Sequence, residues 1–112
     1  NQFAYNIGGR TDGLAMMYEK GIHVQKNYMK AYDIYLEAAN RKLGIGSFSD
    51  YAWTNVNELA QRIMKELGSN ITVDGDLGKN SCRELMKYVG QVDCGRVVKK
   101  PIMEKLIVAI NE

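Results

Sequence analysis

Residues 13–40, GLAMMYEKGIHVQKNYMKAYDIYLEAAN, constrain the fold more than any other stretch of the chain. Aromatic and small residues recur at helical spacing on both sides of a break that contains Gly21, the pattern of two short helices folded against each other. Thr11 or Asp12 is placed to cap the first helix, which carries Leu14, Ala15, Met17 and Tyr18 and stops at Gly21. Across the turn from Lys20 to Lys26, Asn27 caps a longer helix that puts Tyr28, Ala31, Tyr35, Ala38 and Ala39 on one face and ends at Gly44. A hairpin of this kind packs and presents a surface; it does not by itself carry out chemistry.

The rest of the chain continues in helical periods. Ser47 or Ser49 is expected to open a third helix whose Ala52, Val56, Leu59, Ala60, Ile63, Met64 and Leu67 form the cleanest amphipathic stripe, closed by Gly68. Between Ser69 and Asn80 the character changes: Ile71, Thr72 and Val73 favour an extended run, and Asp74-Gly75 followed by Gly78 demands a turn. Ser81 and Glu84 have the spacing of a capping box, starting a helix with Leu85, Met86 and Val89 inward and Gly90 at its end. Pro101 fits a first helical position, ahead of Ile102, Met103, Leu106, Ile107 and Ile110. The predicted fold is therefore all-α, about five helices in a single domain over residues 1–112, with a hairpin at 13–43 and an unrelated helical half at 47–112.

Length and composition fit that reading. A chain of 112 residues supports one modest core. Its apolar fraction of 46% and charged fraction of 25% are those of an ordinary globular protein. The net charge is only +2 with both signs interleaved, and the one basic cluster, Arg96 with Lys99 and Lys100, has no aromatic platform beside it. Nucleic-acid binding is not expected, because phosphate contacts need a larger basic footprint. No apolar run approaches the roughly 20 residues of a membrane span. The sequence opens at Asn1 without an initiator Met, which reads as the product of signal-peptide removal and predicts a periplasmic location, the alternative being cytoplasmic. Cys82 and Cys94 are the only cysteines. They are expected to pair, since Gly90 lets the segment between them fold back; the other reading is two small buried thiols.

The hairpin resembles a Sel-one-like repeat, a relative of the tetratricopeptide hairpin. The resemblance is carried by Leu14-Ala15, Tyr18-Glu19-Lys20-Gly21, Val24, Tyr28-Met29-Lys30-Ala31, Tyr35 and Ala38-Ala39, with Ala15 and His23 standing where the family commonly has Gly. It covers about a quarter of the chain and implies protein binding without catalysis. Only one such repeat is present, and a lone hairpin leaves an apolar face that a neighbouring element or a second subunit must cover; a homodimer is expected on that ground. Val73-Asp74-Gly75-Asp76-Leu77-Gly78 is in turn similar to the Val-Asp-Gly-x-x-Gly turn of small helical peptidoglycan-binding modules.

Candidates for chemistry are few. His23 is the only histidine and sits in the predicted turn, where a polar surface role suffices. The cysteines lack Cys-x-x-Cys spacing. Asp74, Asp76 and Asn80 recur on a Gly-bearing turn, but no acid follows at the twelfth position to give a calcium loop its bidentate ligand. Glu19, Asp33, Glu37, Asp50, Glu58 and Glu66 fall on expected solvated faces. No cofactor, metal or catalytic residue is expected, and the chain is predicted to be a non-enzymatic protein-binding protein. The narrower expectation is a periplasmic immunity protein, similar to the helical antitoxins carried against type VI secreted effectors, which blocks the active site of a peptidoglycan-degrading enzyme. Asp74, Asp76, Leu77, Gln91, Asp93 and Arg96 are its expected partner-binding residues, because loop tips enter a groove that a helix face cannot. Tyr32, Phe48 and Tyr51 are expected to form a dimer or partner face. The alternatives are a peptidoglycan-binding module that uses the turn beginning at Asp74, and a cytosolic repeat-type adaptor.

Overall fold

The computed structural model describes residues 10–44 and 54–111. Five helices account for most of them: α1 (Arg10–Lys20), α2 (Tyr28–Gly44), α3 (Thr54–Glu66), α4 (Lys79–Val89) and α5 (Lys100–Asn111), with no strand among the described residues. The fold is all-α, and it divides into two units, Asn1–Ala52 and Trp53–Glu112. The expected helix starts at Ser47 or Ser49, with Ala52, Phe48 and Tyr51, lie outside the described residues. No described helix is long and apolar enough to cross a membrane.

In the first unit α1 and α2 form the hairpin. The Gly21 and Ile22 N–H groups both donate to the Met17 carbonyl at 2.8 and 2.9 Å, satisfying the end of α1 as a C-terminal glycine should. Asn27 caps α2, its Oδ1 accepting from the Lys30 N–H at 3.0 Å. Its own N–H reaches back to the Tyr18 carbonyl at 2.8 Å, fixing the second helix against the first. His23 adopts a left-handed φ of 63° in the turn, a conformation uncommon outside Gly and Asn. α1 begins at Arg10, so Thr11 and Asp12 lie inside it and are not its caps.

The core of the hairpin corrects two expectations. Tyr32 is not a surface residue: it is 1% exposed and joins Tyr28, Ala31, Tyr35 and Ala39 in the buried stripe, because it lies four residues after Tyr28 and three before Tyr35. Burial, with a smaller contribution from the neighbouring Asp33 carboxylate, pushes its phenol up to about 12. Glu19 likewise leaves the solvated face; it is buried and its Oε1 accepts from the Tyr35 hydroxyl at 3.4 Å.

In the second unit Val56, Leu59, Ala60, Ile63 and Met64 of α3 are fully buried, together with Leu85 of α4 and Met103 and Leu106 of α5. α3 ends as its glycine predicts, with the Ser69 N–H donating to the Met64 carbonyl at 3.0 Å. α4 ends at Gly90, whose N–H donates to the Met86 carbonyl at 3.0 Å. Pro101 is the second residue of α5 rather than the first. Its missing N–H still falls in the turn that has no intrahelical acceptors. The Cys82–Cys94 disulfide is formed, tying the first turn of α4 to the loop before α5.

Candidate functional site

The site is assembled by two side chains on α3. Asn57 and Gln61 are one turn apart, 3% and 0% exposed, on the flank of the apolar stripe. A buried carboxamide must find partners for two N–H groups and two lone pairs, and these two find them in the loops that follow.

Gln61 holds the turn that starts at Asp74. Its Oε1 accepts from the Asp74 and Gly75 N–H groups at 3.0 and 2.8 Å. Its Nε2 lies 3.1 Å from Asp74 Oδ1, 3.0 Å from the Asp76 carbonyl and 3.0 Å from Ser81 Oγ. Asn57 works one turn earlier. Its Nδ2 donates to the carbonyls of Gly75 (3.0 Å) and Arg96 (2.8 Å), and its Oδ1 accepts from the Val98 N–H at 3.0 Å. One amide therefore joins the turn at Gly75 to the loop at Arg96, two segments expected separately to contact a partner.

Gly75 is required by this arrangement. Its φ is +77°, and a Cβ built there would meet Thr54 Cγ2 at 2.5 Å and the Thr54 carbonyl oxygen at 3.1 Å, so the turn presses on the start of α3 as no other residue could. Asp74 closes the turn locally, its Oδ1 accepting from the Asp76 N–H at 2.9 Å. That bond, followed by the one from Gln61, holds the Asp74 carboxyl below the usual carboxylate range.

The start of α4 differs from the capping box expected at Ser81 and Glu84. The helix begins at Lys79, with Gly78 at the N-cap making no side-chain cap bond. The Ser81 hydroxyl is engaged by Gln61. Glu84 instead accepts from the Ser69 hydroxyl at 2.8 Å and pairs with Lys87 at 2.7 Å. The Lys87 and Ser69 contacts, in that order, lower its pKa. A local signal has given way to tertiary partners.

At the turn lies a recess of about 530 Å³ lined by residues 70–72 together with Asp74, Asp76, Gly78, Lys79, Asn80 and Ser81. The Asp74, Asp76, Gln91, Asp93 and Arg96 side chains are exposed and Leu77 is half-buried. Asp74 and Asp76 line the recess, whereas Gln91 and Asp93 lie within the loop that the Cys82–Cys94 disulfide closes and Arg96 lies two residues past it. Asn57 and Gln61 were not among the residues anticipated from sequence. The available signal was two uncharged amides four apart beside an apolar stripe, where exposed positions would ordinarily carry charge. Among the described residues no three His, Cys, Asp or Glu side chains are grouped so as to hold a metal ion. No protein-family model, curated protein or solved structure matches this chain.

Proposed function

We propose that the unit Trp53–Glu112 is a non-enzymatic binding module whose ligand is bacterial cell-wall peptidoglycan, working in an oxidising compartment outside the cytoplasm. The recess carries this reading: it is a polar hollow built against a Val-Asp-Gly-x-x-Gly turn that buried amides hold rigid before any ligand arrives. Preorganised polar groups bind without the entropic cost of ordering a loop. The bonds that hold the Asp74 carboxyl below the usual carboxylate range keep it ionised, an anionic group that a cationic part of a ligand can meet. The disulfide supports the compartment, since such bonds persist where thiols are oxidised. Co-sedimentation of the full chain with purified sacculi tests this function. The protein is expected in the pellet, and a protein that stays in the supernatant sinks the proposal.

An immunity protein that plugs the cleft of a peptidoglycan-degrading effector is a second reading, favoured by the Asn57 bridge that joins the Gly75 turn and the Arg96 loop into one surface. It predicts inhibition of wall lysis by the effector without sedimentation on the wall alone. Self-association through the hairpin belongs to that reading, with Met16 and Ile22 each nearly half exposed at 45% and 46%.

A further inference from the structure

The recess also indicates which part of a wall polymer it would hold, an inference that rests on the wall-binding proposal above. Residues 70–73 alternate between exposed and half-buried side chains, Asn70 and Thr72 outward and Ile71 and Val73 inward, as an extended segment does. None of the four gives a hydrogen bond to, or takes one from, any described residue. Three of them line the recess. An extended backbone whose N–H and C=O groups lack ladder partners is a template for one more strand. Four extended residues span about 13 Å, the length of a tetrapeptide.

The charges of the recess narrow the ligand further. Asp74 Oδ1 accepts two of the bonds that fix the turn, from Gln61 Nε2 and the Asp76 N–H. The Asp74 and Asp76 carboxylates both line the same hollow. Among the described residues Lys79 provides the only cationic side chain in the lining, so the described lining sums to one net negative charge and favours a cation. No aromatic side chain among the described residues lines it, although an aromatic face is the usual platform for the C–H face of a sugar ring.

We propose that the recess binds a short extended peptide bearing a primary ammonium group. The peptide lies along residues 70–73 as an added strand, and its ammonium meets the carboxylates of Asp74 and Asp76. In a cell wall this selects the stem peptide with a free amine on its cross-linking residue, and leaves the glycan strand outside the site.

Four probes test this by fluorescence anisotropy or competition with the full chain. They are a synthetic tetrapeptide with an internal lysine, its Nε-acetylated form, a form N-methylated on alternate backbone amides, and glycan strands stripped of peptide by an amidase. The lysine peptide is expected to bind, with acetylation and N-methylation each weakening it at least about tenfold, the order expected for removing a charge-assisted contact or a strand's hydrogen bonds. Asp74→Asn, which keeps an Oδ1 acceptor for the turn but drops the charge, should weaken the lysine peptide by a larger factor than the acetylated one. Equal binding of the acetylated or N-methylated peptide, or competition by stripped glycan, overturns the inference. If sacculi bind but only stripped glycan competes, wall binding stands and the peptide site falls. If the lysine peptide binds but sacculi do not, the peptide site stands and wall binding falls.

Discussion

Replacing Gln61 with Met keeps the length and volume of the side chain and removes every hydrogen bond it makes to the loop. The substitution strips the acceptor from the Asp74 and Gly75 N–H groups and the donor from the Asp76 carbonyl and Ser81 Oγ. Gln61 Nε2 has two hydrogens for three acceptors, so about four full bonds are lost. At about 1 kcal/mol net for each, with partial rehydration of the loop groups, Gln61→Met should destabilise the unit by about 3 kcal/mol. That is a large part of a small domain's stability, which is about 5–15 kcal/mol. Urea denaturation followed by far-UV circular dichroism measures it as a drop in midpoint at unchanged slope. Gln61→Glu sharpens the test, because it sets a second carboxylate about where Nε2 now lies 3.1 Å from Asp74 Oδ1. Its penalty should be at least as large at neutral pH and should shrink in acid as one of the pair is protonated. A loss below about 0.5 kcal/mol for Gln61→Met, inside the range of ordinary surface substitutions, would refute the role given to this amide.

Four further perturbations follow from the same geometry. Replacing Cys82 and Cys94 with Ser opens a loop of 12 residues' separation and should cost about 3 kcal/mol by the chain-entropy relation; the oxidised wild type should lose the same amount on adding reductant. Gly75→Ala should destabilise by about 2–3 kcal/mol, since it combines a left-handed φ with overlap on Thr54. Gly90→Ala, with nothing within 4 Å of a Cβ but with φ +86° and ψ −168°, a region that only glycine adopts readily, should cost about 1–3 kcal/mol from backbone strain alone by the same denaturation assay. Asp74 has a folded pKa below its unfolded value, so its contribution to stability is complete above the unfolded pKa and is lost as pH falls through the folded one. Acid unfolding curves of wild type and Asp74→Asn should therefore begin to converge as pH falls below about 4, and the variant should show the weaker acid dependence.

Helix ends were legible because their signals are local. Gly21 and Gly90 stop helices through bonds within one turn, and the Asn27 side chain reaches only three residues along the chain. Those short-range contacts are encoded at the positions that make them. The disulfide was legible for a similar reason, with two cysteines and a glycine between them. Ser81 and Glu84 misled because the same side chains have longer-range partners in Gln61 and Ser69, and Gly78 takes the cap position unaided. Tyr32 misled because a stripe of three- and four-residue steps is wider than the single row drawn through Tyr28, Ala31 and Tyr35. Asp74 to Gly78 was visible as a turn from its own residues. What makes it rigid, two amides on α3 separated from it by 13 to 18 residues, was not visible, since an asparagine or glutamine in a helix gives no sign of whether it faces water or a loop.

The central claim is that the recess beside the Asp74 turn is where a wall ligand binds. It is tested most directly by titrating isotope-labelled full-length protein with soluble muropeptides released from sacculi and following each backbone amide by NMR. Binding at the recess predicts saturable shifts at residues 70–72, Asp74, Asp76 and 79–81, with the amides of α1 and α2 unmoved. Shifts centred on the hairpin, or none anywhere at millimolar ligand, would contradict it.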